Sequence, residues 1–133
     1  MNVPSRAERT LASGPFGTVE YAVRSTGRME AREWLESESP KVMVSFGVLF
    51  QRLVEHGRII DDTKFRKLDD EVWEFKRGSH RLLCYRLGNR CLLTHRIKKA
   101  GGRGLCPQGQ IAHAHNVGAE HIAWEMQNRG RQQ

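Results

Sequence analysis

The sequence predicts an α+β domain: a small antiparallel sheet with a mixed edge, a helix hairpin packed on one face, and a further helix at the C-terminus. Three observations carry this. Ser39-Pro40 through Gly57 reads as a helix marked at both ends. Ser caps the first turn with its side chain, Pro suits the first helical position, and Gly takes the left-handed closing conformation. Val72 to Ile97 divides into strand-forming runs separated by Arg77-Gly78-Ser79 and Gly88-Asn89, and a two-residue turn led by Gly is a hairpin signal. The order strand, helix, helix, three strands, helix groups the elements instead of alternating them, which favours a sheet with its helices segregated.

Taken in order, residues 1–17 mix Pro, Ser, Gly, Arg and Thr with no usable period and are expected to form a flexible extension. Thr18 to Val23 alternates apolar and polar side chains in strand fashion until Ser25-Thr26-Gly27 stops it. Arg28 to Ser39 reads as a short amphipathic helix around Ala31, Trp34 and Leu35. The next helix carries a broad stripe from Val42 to Val54, and its Gly47, about 1 kcal/mol worse than Ala in a helix, suits a close helix crossing. A brief extended piece spans Lys64 to Leu68, followed by strands Val72–Lys76, His80–Leu87 and Arg90–Ile97. Ala100 to Cys106 is a glycine-rich loop. Pro107 opens a weaker helix through Gln127, interrupted by Gly109 and Gly118, and 128–133 form a loose tail. The folded domain is accordingly placed at 18–127.

Charge is distributed unevenly. The chain has 133 residues and a net charge of +7. Residues 19–75 hold 9 basic and 12 acidic side chains, whereas residues 76–133 hold 11 basic side chains and only Glu120 and Glu125 as acids. A polyanionic or acidic partner fits this asymmetry. Three cysteines, Cys84, Cys91 and Cys106, show no CxxC spacing, which points to a reducing cytoplasmic setting and not to a disulfide frame. No run reaches the roughly 18 apolar residues of a membrane span. The Cys106, His113, His115 and His121 spacing matches no standard zinc site, so neither metal nor cofactor is expected.

A turn at Gly88-Asn89 sets a register in which Leu87 faces Arg90, Tyr85 faces Leu92 and Arg81 faces Arg96. Arg81, Leu83, Tyr85 and Arg96 then share one face, and His80, Leu82, Cys84, Leu93, His95 and Ile97 share the core face. Arg81 and Arg96 directly opposite would repel unless an anion lay between them or each found a carboxylate such as Glu74 or Asp69. Lys76, Lys98 and Lys99 fall at the lip of the same surface, Arg103 lies in the loop beyond, and Tyr85 is its single aromatic.

The ordered set Lys67-Leu68, Trp73-Glu74, His80-Arg81, Gly88-Asn89, Leu92 to His95, Lys98-Lys99 and Pro107 resembles the RelE/HigB superfamily of type II toxins, in particular its phage-derived HigB-like branch. The resemblance runs from about Val19 to His121. It implies a RelE-like fold and a ribosome-dependent, metal-independent mRNA endoribonuclease, silenced by a cognate antitoxin. On this view Arg81 contacts the scissile phosphate, Lys76, Lys98 and Lys99 supply the basic positions, and His95 is a further catalytic candidate. Arg96, Arg77, Arg103 and Tyr85 are the candidate RNA contacts. The chain departs from the family in lacking its C-terminal Tyr or Asp-Tyr-His group, and the acid or base role falls to His95, His113 or His115, or is absent. A toxin-fold protein that grips an antitoxin or host factor without cleaving RNA is the alternative.

Overall fold

Ser39 caps helix α3 (Pro40–His56) by accepting the Val42 N–H, and Gly57 ends it at φ 79°, as the flanking residues dictate. The computed structural model describes residues 3–99 and 106–129. Around α3 it builds α1 (Arg6–Arg9), β1 (Thr10–Gly14), β2 (Gly17–Tyr21), α2 (Glu30–Leu35), β3 (Phe65–Lys67), β4 (Val72–Arg77), β5 (His80–Leu87), β6 (Arg90–Lys98) and α4 (Gln108–Gln127). The architecture is α+β, with one mixed six-stranded sheet in the order β1-β2-β6-β5-β4-β3. All ladders are antiparallel except β2 with β6.

The N-terminal residues correct the expected flexible extension. Residues 6–14 form α1 and β1, and β1 adds an antiparallel edge strand outside β2. The parallel ladder is therefore one strand in from the edge. Two forces hold this segment. Gly14 packs so tightly on α3 that a Cβ there would meet the Val54 carbonyl oxygen at 2.6 Å, and the Phe16 N–H donates to that same carbonyl. Arg9 is fully buried, 3.5 Å from Glu20, 3.6 Å from Glu125 and 5.1 Å from the Trp124 ring. Such a residue looks like surface in a sequence with no apolar period. Only the distant acids make it core.

The sheet is covered on both faces. On one, Ala31 and Leu35 of α2 and Phe46, Leu49, Phe50, Leu53 and Val54 of α3 pack on Val19, Tyr21, Phe75, Leu82, Cys84 and Leu93. Each fully buried large apolar side chain here is worth about 1.5–3 kcal/mol. Phe50 meets Phe75 edge-to-face and Phe65 lies tilted against it, with centroids 4.9 and 4.5 Å away. Arg86 lies on this face too, with its guanidinium 5.1 Å over Trp73. The other face is roofed by α4, whose Ile111, Ala114 and Val117 pack on Val72, Leu83, Leu92 and Ala22. The face read as open and cationic is thus largely a second core. Gly47 faces open space, with nothing within 4 Å of a Cβ there, so it serves no helix crossing. Residues 100–105, where the glycine-rich loop and Arg103 fall, and 130–133 of the tail lie outside the described residues.

The predicted register holds from Leu87↔Arg90 through Cys84↔Leu93 and then shifts. Leu83 pairs with His95, Leu82 with Arg96 and Arg81 with Ile97. Thr94 is the extra residue of a β-bulge, and its hydroxyl donates to the Leu83 carbonyl at 3.3 Å. A bulge flips the facing of everything beyond it. His95 and Ile97 move to the α4 face, and Arg96 moves to the α2–α3 face. Arg81 and Arg96 do not face one another.

Candidate functional site

On the α4 face the strands bring four cations around one acid. The pairs Arg66↔Glu74↔Leu83 and Lys76↔Arg81↔Ile97 run across β3 to β6, and Lys99 follows β6, tied by its N–H to the Ser79 carbonyl. Glu74 is buried at 1% exposure. Its carboxylate lies 3.5 Å from Arg66 and 3.5 Å from Arg81. Arg81 also donates through Nη1 to the Gly78 and His80 carbonyls at 2.8 and 3.0 Å. It therefore has a structural duty at the β4–β5 turn, while Nη2 makes no hydrogen bond among the described residues. Lys76 donates to the Asp62 carbonyl at 3.0 Å. Partial burial, and then the charges of Arg66, Arg81 and Lys99, push its pKa below the usual lysine value against the pull of Glu74. Cys106 lies near this cluster. Burial first, and Glu74 second, raise its thiol to about 11, the profile of an inert cysteine.

The remaining predicted cations divide away from this cluster, which corrects the expectation of one shared basic surface. Arg96 stacks 5.0 Å over Trp34, and His80 tilts on the same ring at 5.1 Å. Arg77 donates to the Ser45 carbonyl at 2.8 Å, and Lys98 pairs with His80 on that α2–α3 side. The bulge at Thr94 is the reason for Arg96 and Lys98; Arg77 is on that side because its ladder partner is His80. Tyr85 is no open platform. It lies half-buried under α4, with its ring 5.6 Å from His115.

His95 occupies a third position. β2 ends its pairing at Tyr21↔Leu93, so among the described residues β6 beyond Leu93 has no strand on that side. A notch of 360 Å³ opens there, lined by Arg28, Glu30, Glu33, Trp34, His95 and Arg96. His95 is 6% exposed and is held from both sides, Nδ1 by Thr94 at 3.0 Å and Nε2 by Gln110 at 2.9 Å. Burial lowers its pKa, the Gln110 bond partly opposes that, and neighbouring His113 lowers it further. The His113 ring meets His95 edge-to-face at 4.5 Å, and His113 Nε2 donates to Glu30 at 3.2 Å. Burial would raise the Glu30 carboxyl, but hydrogen bonds from Arg24 and His113 outweigh it and hold the pKa low. Arg24 in turn clamps Glu30 and Glu120, each at 2.6 Å.

The sequence named His113 without its partner. Glu30 stands 83 residues away with no spacing signal to join them. His115 points elsewhere, donating to Asp69 at 2.6 Å, as the helical angle between residues two apart requires. Asp69, Glu71 and His115 have ligand-type atoms within 4.8 Å of one another. Asp69 is already engaged, with Oδ1 accepting the Glu71 and Val72 N–H groups. No helix among the described residues is long and apolar enough to cross a membrane. Compared with known proteins, the chain matches no family model and no curated sequence.

Proposed function

We propose that the chain is a cytoplasmic RNA-cleaving toxin of the RelE/HigB type, a ribosome-dependent and metal-independent mRNA endoribonuclease held silent by a cognate antitoxin. The observation that carries this reading is the gathering of Arg66, Lys76, Arg81 and Lys99 around the single carboxylate of Glu74. A surplus of three positive charges is costly unless a polyanion lodges beside it. Transesterification of RNA needs the 2′-OH deprotonated and the anionic phosphorane stabilised. Lys76, with its pKa lowered, is suited to take the 2′-OH proton. Arg81 Nη2 and Lys99 are suited to hold the charged phosphoryl oxygens. A single RNA strand with its backbone on this rim fits recognition by phosphate contacts.

One observation favours the alternative, a toxin-fold protein that grips an acidic antitoxin helix without cleaving RNA: Arg81 is engaged by Glu74 and two carbonyls. Inducible expression in bacteria separates the two. New mRNA 5′ ends at codon-linked positions, absent in Lys76→Met, support the nuclease. Growth arrest with intact mRNA supports the binder.

A further inference from the structure

On the α2–α3 side of the sheet, Arg77 faces His80 and His80 faces Lys98 across β4, β5 and β6. The first turn of α3 brings Lys41 to the same corner. A cavity of 250 Å³ opens between helix and sheet, lined by Lys41, Val42, Ser45, Arg77, Gly78 and His80. No acid is among those lining residues. Lys41, Arg77 and Lys98 have no carboxylate within 4 Å among the described residues, and Glu38, just before the cap of α3, forms no ion pair among them either.

Lys41 sits where a helix prefers an acid. The N-terminal end of α3 carries a partial positive charge, and carboxylates are what stabilise that position, yet its first turn holds none. Arg77 arrives from β4 as a third positive source around the same cavity. Their mutual repulsion is relieved when an anion enters.

Arg77 is also held in place for one. Its Nε donates to the Ser45 carbonyl at 2.8 Å, which fixes the guanidinium plane against α3. Its Nη1 and Nη2 make no hydrogen bond among the described residues, so the outer donors of the fork are free. His80 adds a second sign. Its ring tilts on Trp34 at 5.1 Å, and its Nδ1 is buried with no hydrogen-bond partner. An orphaned buried nitrogen is commonly completed by an ion or a water.

We propose that this corner is a phosphate-binding site, separate from the Glu74 cluster and independent of the nuclease reading. Phosphate is favoured over carboxylate by shape. A carboxylate's two oxygens lie in one plane, and one guanidinium exhausts them. A tetrahedral phosphate points its oxygens apart, so that Arg77 from β4 and Lys41 from α3 each hold one. Free phosphate and the backbone phosphate of a nucleic-acid strand present the same chemistry to these donors.

The test follows amide shifts of the isotope-labelled full chain. Inorganic phosphate is added in one arm, and a short single-stranded DNA, which has no 2′-OH to be attacked, in the other. Expected with phosphate are saturable shifts centred on Lys41, Val42, Gly78 and His80. Lys41→Gln and Arg77→Gln should each weaken binding about tenfold. Arg77→Gln also removes the Ser45 bond, so Lys41→Gln, at an exposed position, is the deciding variant. The same shifts with DNA assign the site to backbone phosphates, and shifts with phosphate alone assign it to free phosphate. Shifts centred on Arg66, Lys76 and Lys99 overturn the proposal. So does an affinity that Lys41→Gln leaves unchanged, or no saturable shift in either arm. None of these outcomes depends on RNA being cut.

Discussion

Gly118 of α4 lies directly on the ring of Tyr85 of β5, so that a Cβ at position 118 would sit 2.5 Å from the ring carbon Cγ. The glycine that weakens this helix in isolation is what lets it seat against the sheet. Gly118→Ala is expected to lower stability by about 2 kcal/mol through overpacking, despite alanine's better helix propensity. Chemical denaturation measures this; a stabilised variant would mean α4 does not cross at that point.

Gly47 is the opposite case. Its missing side chain faces open space on α3, and the backbone there is helical. Gly47→Ala should stabilise by about 1 kcal/mol, visible as a higher denaturation midpoint with unchanged slope.

The Arg9–Glu20 network should anchor the N-terminal strand. Glu20 is fully buried and accepts from Thr18 at 2.6 Å and from Arg90 at 2.7 Å. Arg9→Ala removes a buried partner and exposes a hole beside Trp124, for an expected loss of about 3–5 kcal/mol. Proteolysis within residues 1–14 should accelerate in the variant; unchanged resistance would argue against the docked segment.

Acid should unfold the protein in two stages. Burial raises the Glu20 carboxyl, but the Arg90, Thr18 and Arg6 contacts overcome this and bring it from 4.5 down to about 2. That stabilisation is complete above the unfolded value and is lost as pH falls through the folded one, about 3 kcal/mol in all. His121 acts earlier. Burial lowers it from 6.5 to about 4 against the attraction of Glu125, so protonation opposes folding as pH drops across that interval. Its Nδ1 accepts the Val23 N–H at 2.9 Å. Urea midpoints measured from pH 7 to 2 should fall first between 6.5 and 4 and again below 4.5. A flat curve down to pH 3 contradicts both assignments.

Local chemistry made much of the fold legible. Ser39, Pro40 and Gly57 bound α3, and Gly78 and Gly88, at φ 56° and 60°, close the hairpins where the sequence placed them. The bulge was not legible, because Thr94 looks like any other strand residue. One extra residue there moved His95, Arg96 and Ile97 to opposite faces and divided the cations that simple alternation had grouped. β1 escaped notice because its burial rests on Arg9 and glycine packing instead of an apolar period. Lys76 and Arg81 are ladder partners on one face, with Lys99 and Arg66 among the charges that Lys76 feels; no strand alternation in a three-residue β3 would have flagged Arg66.

The central claim is that the cations around Glu74 receive an RNA strand and cut it without metal. The most direct measurement is the chemistry of the cut ends when purified protein meets mRNA in a ribosomal A site. Fragments ending in 2′,3′-cyclic phosphate, formed by wild type and reduced at least 100-fold in Lys76→Met with its fold intact, are expected. Uncut mRNA, or fragments bearing 3′-hydroxyl and 5′-phosphate ends, would contradict the account.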